Sequence, residues 1–127
     1  MVVNSYKDLK VWQKSMELAY MVYDLVKILP REELYALSNQ MRRVVISIPS
    51  NIAEGFYRNT TREYIRFLSI SKGSLGELET QIFLCEGLGY VKEDQTAPIL
   101  QKCDETGKML TALIKNLQSK LNRGEQI

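Results

Sequence analysis

Ser47-Ile48-Pro49-Ser50-Asn51-Ile52-Ala53-Glu54-Gly55 sets a proline and several hydrogen-bonding side chains inside a pattern that keeps helical period. Leu34, Leu37, Met41, Val45, Ile48 and Ile52 recur every three or four residues, the spacing of one helix face. Pro49 removes a backbone donor and crowds the Val45 carbonyl, at a cost of ~3 kcal/mol in a helix interior. Ile48 and Ile52 nonetheless stay on the apolar face across it, so one kinked helix is expected rather than a break. Ser47, Asn51 and Glu54, facing Ser74 and Glu77 of the next helix, are expected to form a polar network. Such a network satisfies the groups freed around the proline and fixes helix register.

Outward from this stretch the chain reads as four helices, about 6–28, 31–57, 61–87 and 96–122. In the first, Leu9, Trp12, Met16, Ala19, Tyr23 and Val26 alternate by three and four, as along a coiled-coil seam. A second stripe, Val11, Leu18, Val22, Leu25 and Leu29, runs beside it, giving a wider apolar face than one neighbour needs. Ser5 and Asp8 have capping-box spacing. Pro30 separates the first two helices, and Glu32 and Glu33 suit the positive end of the second helix dipole. Thr60 and Glu63 form a capping box for the third helix. Its seam is Tyr64, Leu68, Ser71, Leu75, Leu78, Ile82 and Cys85, while Gly73 and Gly76 in its middle point to close approach by a facing helix. Gly87 and Gly89 stop it. Thr96 is the expected cap of the last helix, whose seam runs Ile99, Cys103, Thr106, Leu110, Leu113, Leu117 and Leu121, with a short polar tail after it.

No strand pattern competes, so the fold class is all-α: one domain over 1–127, an antiparallel up-down-up-down four-helix bundle. Val11, Leu18, Val22 and Leu25 are the stripe left over once such a bundle closes, and they are the candidates for an oligomer interface.

Composition narrows the function. The 127 residues are 45% hydrophobic and 25% charged, a globular balance, and no apolar run is long enough to span a membrane. Histidine is absent, which removes the usual general base, the Ser-His and Cys-His nucleophile pairs and the commonest metal ligand. Cys85 and Cys103 fall on core positions. With no signal-peptide pattern at the N-terminus, they read as reduced thiols of a cytoplasmic protein. The net charge of +2 conceals two blocks: residues 42–72 carry a net +4, and residues 73–105 a net −5. Such blocks pair internally, between subunits or with a partner.

Asp8-Leu9-Lys10-Val11-Trp12-Gln13 is followed by Pro30, Glu33, Tyr35, Leu37, Gln40, Arg42 and Arg43. The pattern continues through Ser47-Ile48, Asn51-Ile52-Ala53-Glu54-Gly55, Gly73-Ser74, Glu77-Leu78-Glu79 and Leu88-Gly89-Tyr90. It resembles, over nearly the whole chain, the four-helix-bundle proteins encoded by intervening sequences in bacterial 23S ribosomal RNA genes. The resemblance implies an antiparallel bundle assembling as a ring-like homopentamer, with no established enzymatic activity. It also implies a relation to the accessory variability proteins of diversity-generating retroelements, basic bundles that bind nucleic acid and a reverse transcriptase.

Two sets of residues are candidates for function. Arg42, Arg43, Arg58, Arg62, Arg66 and Lys72 are the cations for RNA or DNA, with Tyr57 and Tyr64 among them as stacking platforms. The competing reading pairs these cations with Glu77, Glu79 or Glu86 and leaves a structural or protein-interaction scaffold. Glu54 and Glu77 are placed like the carboxylates of di-iron bundles, but those sites use Glu-x-x-His, and the polar network is the simpler role. No cofactor, metal or small-molecule substrate is expected. Trp12, Tyr20 and Tyr23 read as core or interface packing.

Overall fold

Pro49 lies inside one uninterrupted helix. The computed structural model describes residues 3–124, and among them there are four α-helices and no strand. They are α1 Lys10–Val26, α2 Leu37–Phe56, α3 Thr61–Gly87 and α4 Glu93–Asn122. α1 packs on α2 and α4, and α3 packs on the same two, while the diagonal backbones stay apart. Along the α2–α3 seam Met41 meets Cys85, Ser47 meets Ser74, Ile48 meets Ser71 and Phe56 meets Tyr64. Partner numbers fall as α2 advances. Between α1 and α4 the same reversal appears, Lys14 pairing with Glu105 at 3.3 Å and Glu17 with Lys102 at 3.4 Å.

Three helix starts differ from the sequence reading, each for a local reason. The first helix is preceded by a 3-10 turn, Tyr6–Asp8, capped by Ser5, whose hydroxyl accepts from the Lys7 amide. Before the second helix another 3-10 turn, Arg31–Glu33, leads to Ala36, whose non-helical backbone (φ −123°, ψ −102°) separates the turn from α2. Glu33 then reaches forward and accepts from the Leu37 amide at 3.2 Å, covering a donor that the helix leaves bare. α4 begins at Glu93 rather than near Thr96, because Gln95 closes back on the Lys92 amide at 2.9 Å. Thr96 is therefore inside the helix, and its hydroxyl donates to Glu86 of α3. α3 has the expected bounds, with Thr60 accepting from the Glu63 amide at 3.2 Å. Gly89, at φ +79°, takes the left-handed turn that ends it. Of the polar tail, Arg123 and Gly124 are described and the last three residues lie outside the described segment.

The core draws on every helix: Leu18 and Val22; Met41, Val45, Ile48 and Ile52; Leu68, Leu78 and Ile82; Cys103, Leu110 and Leu117. This overturns the expected interface. Val11, Leu18, Val22 and Leu25 are buried within the protomer, none more than 5% exposed, and have no surface to offer a second copy. The stripe left outside is the other one, with Trp12, Met16 and Ala19 half-buried and Tyr20 and Tyr23 exposed. Compact Leu and Val side chains fill the interior without a polar atom. Tyrosine carries a hydroxyl that needs a partner and is better placed at a wet edge.

Glycine placement needs a second correction. Nothing stands within 4 Å of a β-carbon built on Gly73 or Gly76, so neither marks a close approach. Gly55 does: its β-carbon would fall 2.8 Å from Phe67 Cβ and 3.1 Å from Tyr64 Cδ1. α2 and α3 thus converge on the one glycine of the opening motif. Gly55→Ala is expected to destabilise by ~1–3 kcal/mol through overpacking. Gly73→Ala and Gly76→Ala are expected to stabilise by ~0.5–1 kcal/mol each, since alanine is the better helix former. Urea denaturation of the three variants checks this; equal effects at all three positions would contradict the packing assignment.

Candidate functional site

Around Pro49 the helix carbonyls collect extra donors. Ser47 Oγ donates to the Val44 carbonyl at 2.7 Å and stands 2.7 Å from Ser74 Oγ on α3. Asn51 Nδ2 donates to the Ser47 carbonyl at 2.7 Å, and Ser71 Oγ crosses from α3 to the Ile48 carbonyl at 2.9 Å. A buried hydroxyl spent on a neighbouring helix ties register to chemistry, because a slip of one residue orphans it. Of the five residues expected in the network, Ser47, Asn51 and Ser74 come together. Glu54 and Glu77 do not: Glu54 turns outward to Arg58 at 2.9 Å and Glu77 is exposed, so both carboxylates remain hydrated. Ser71, placed on the seam but not in the network, is its fourth member.

The six candidate cations fall in three places. Arg58, Arg62 and Arg66 cluster where α2 hands over to α3. The Arg58 and Arg66 guanidinium carbons lie 4.5 and 5.1 Å from the centre of the Phe67 ring. Beside them Tyr57 is 66% exposed and stacks edge-on with Tyr6 at 5.7 Å, which in turn meets Trp12 at 5.3 Å. Arg42 and Arg43 sit near the start of α2, ~20 Å away at 1.5 Å per residue, where Arg42 lines a hollow with Lys27 and Arg31. Lys72 belongs to a third location, the α3–α4 groove with Lys108 and Lys115. Among the described residues no ion pair joins any of the six to Glu77, Glu79 or Glu86. Arg58 pairs with Glu54 and Arg66 with Glu63 at 3.2 Å, each within one helical turn and partly exposed. Exposed pairs of this kind contribute ~0–1 kcal/mol and give way readily to a phosphate.

A broad concavity lies on the outer side of α1 and α2. It has a volume of about 700 Å³ and is walled by Trp12, Met16, Ala19, Tyr20 and Tyr23 on one side and Ile46, Pro49 and Ala53 on the other. On a different side of the bundle, Ile70, Phe83 and Leu84 of α3 and Leu88 just past its end are all at least 40% exposed; Gly73 and Gly76, with the exposed Glu77 and Thr80, lie between Ile70 and Phe83 along the helix. Sequence reading missed this second face because Phe83, Leu84 and Leu88 lie beside the seam rather than on it.

At the opposite end of the bundle from Arg58, Arg62 and Arg66, acidic residues act as clasps. Tyr90 donates to Glu33 at 2.7 Å, and this hydrogen bond raises the Tyr90 hydroxyl above its ordinary range. The described residues contain no group of three His, Cys, Asp or Glu side chains placed to hold a metal ion. Cys85 and Cys103 are buried and free; burial pushes their thiols from 9.0 up to about 11 and about 12. Thiols so protected are poor nucleophiles at neutral pH.

These features define an all-helical bundle whose candidate groups lie on its surface and at its ends. Residues 7–112 match the family described as 23S rRNA-intervening sequence protein, and the chain belongs to that family. It is similar in structure to a protein of unknown function from the S23 ribosomal protein family of Bacteroides thetaiotaomicron VPI-5482. The two share 29% identity and a TM-score of 0.76, over 83% of this chain and 95% of that one. No curated protein matches.

The thiols set an alkaline limit. An unfolded thiol ionises near 9 while the folded ones hold their protons to about 11 and about 12, so above pH ~9 the unfolded state binds fewer protons. The thiols' contribution to stability is therefore fully present below that pH and is lost as pH rises to about 11 for Cys85 and about 12 for Cys103. Urea midpoints should fall across this window for the wild type and fall less for Cys103→Ala. Parallel pH profiles would show that the thiols do not set the slope.

Proposed function

We propose that this chain is a non-enzymatic, cytoplasmic, self-assembling helical bundle that presents its arginine edge to RNA or DNA. The reversed pairings along α2–α3 and α1–α4, with short connections, support the up-down-up-down antiparallel arrangement. One observation carries the assembly: two unlike apolar surfaces, the α1–α2 groove and the outer face of α3, lie on different sides of one protomer. Unlike patches that complement each other join head to tail. Such contacts build rings when the rotation closes, in keeping with the homopentamer that the family resemblance implies. The absence of histidine and the high thiol pKa values support a role without catalysis.

Nucleic-acid binding is favoured over a pure scaffold because the arginines are not consumed by the acidic block. Arg62, Arg43 and Lys72 are exposed and make no ion pair among the described residues, and Arg58 and Arg66 are held only by local partners. Repeated around a ring, a small cluster gains avidity without new contacts.

Tyr20→Glu disables the groove, and Phe83→Glu with Leu84→Glu disables the α3 face. Each variant alone should run as a monomer in light scattering. Mixed together they should form a heterodimer and nothing larger, because one intact surface of each kind remains; continued full assembly by either variant would refute a head-to-tail contact.

Retention on single-stranded RNA should weaken steeply with salt, as phosphate contacts do. Replacing Arg58, Arg62 and Arg66 together by Ala should abolish retention while leaving the oligomer intact. Unchanged retention would return the protein to the scaffold reading.

A further inference from the structure

Arg43, Ile46, Ser50 and Ala53 recur at intervals of three, four and three along α2, and the last three of them line the α1–α2 groove. On a different side of the bundle, Ile70, Gly73, Glu77, Thr80 and Leu84 recur at intervals of three and four along α3, and every one of them is exposed. Stripes of this spacing are what two helices present to each other when they pack side by side. Each of the two carries a single charge, and the signs are opposite.

Neither charge is satisfied within the protomer. Lys27, Arg58, Arg66 and Lys108 each pair with a carboxylate three or four residues away in sequence. Arg43 has Asn39, Gln40, Ile46 and Ser47 at those spacings, and Glu77 has Gly73, Ser74, Thr80 and Gln81. Among the described residues neither side chain makes a hydrogen bond or an ion pair.

The two charges also stand at one height. Partner numbers fall as α2 advances against α3, so moving back along α2 and forward along α3 leads to the same end of the bundle. From the level where Ser47 meets Ser74 at 2.7 Å, Arg43 lies four residues back and Glu77 three residues on. At 1.5 Å per residue those heights are ~6 and ~4.5 Å, a difference that two long side chains span easily. Ten residues on from Ser74, Leu84 reaches the height of Leu37, beside the hollow of about 500 Å³ lined by Tyr23, Leu34 and Ser38. A rotation about an axis along the bundle carries one copy onto the next and keeps every height. It therefore sets the α3 stripe of one copy level with the α2 stripe of its neighbour.

We propose that Glu77 of one copy pairs with Arg43 of the next, with Leu84 beside the Tyr23 and Leu34 hollow, and that this pair fixes the register of the contact between copies. The occupant is a second copy because both complementary halves lie on this one chain. The pairing rests on the head-to-tail contact proposed above and supplies its height and its polar specificity. In a contact that excludes water, opposed charges fix orientation and like charges are costly. Arg43 then serves assembly, while Arg58, Arg62 and Arg66, ~20 Å away along the bundle, stay open to nucleic acid.

Charge reversal tests this. Glu77→Arg and Arg43→Glu each set like charges together at every contact. Each should raise the protein concentration at half-assembly, followed by light scattering across a dilution series, by about tenfold or more. Glu77→Arg and Arg43→Glu in the same chain restore opposite charges, and that double variant should assemble within about threefold of the wild type. Both positions are exposed, so all of these variants should keep the helical circular dichroism of the wild type. Single variants that assemble as the wild type does, or a double variant as weak as both singles combined, would overturn the pairing. Tyr20→Glu then separates the pair from the contact that it rests on. Loss of assembly in Tyr20→Glu leaves a head-to-tail contact with another register; full assembly there, or a wild type that stays monomeric, removes both.

Discussion

The α2–α3 seam is the constraint from which the remaining geometry follows. Its two ends are held in different ways. At Gly55 the helices approach so closely that no β-carbon fits against Phe67 and Tyr64, which sets the separation at one end. Along the proline-bearing middle, Ser71 and Ser74 meet the Ile48 carbonyl and Ser47, which sets the register. Pro49 makes this arrangement reasonable rather than merely tolerable. Pro49 leaves the Val45 carbonyl without its helical donor, and the hydroxyls beside it reach the neighbouring Val44 and Ile48 carbonyls without drawing a charge into the core. Glu54 and Glu77 show the same rule from the other side, remaining in water because an unpaired buried carboxylate costs far more than an unpaired hydroxyl.

Once α2 and α3 are fixed, α1 and α4 close the square, and the choice of buried face on α1 decides what the surface carries. Val11, Leu18 and Val22 go inward. Trp12, Met16, Tyr20 and Tyr23 then lie beside the edge of α2 and the Tyr6 ring, and a groove results. On α3, nothing within the protomer fills the space over Gly73 and Gly76, and further along the helix Phe83 and Leu84 are exposed. The two faces are unlike, and the head-to-tail assembly proposed above rests on that asymmetry.

Within one protomer the basic and acidic segments do not neutralise each other. Glu33 and Glu86 serve as acceptors for Leu37, Tyr90 and Thr96 at one end of the bundle, while Arg58 and Arg66 stack on Phe67 at the other.

The sequence by itself determined the four helices, the continuity of α2 through Pro49, the bounds of α3 and the seam from Tyr64 to Cys85. All of these depend on interactions within a few residues: periodicity, a capping box, a proline whose flanking isoleucines share a face. The contact of Ser47 with Ser74 was also legible, since each lies beside its helix's apolar seam and the proline gave a reason for polar groups there. Only the tertiary structure decided which of two equally apolar stripes on α1 faces inward, and that Gly55 rather than Gly73 and Gly76 is the point of contact. Each of those depends on the rotation of one helix about its axis relative to its neighbours. Periodicity fixes the angle between residues on a helix, but the azimuth of the whole helix is set by packing against chains far away in sequence.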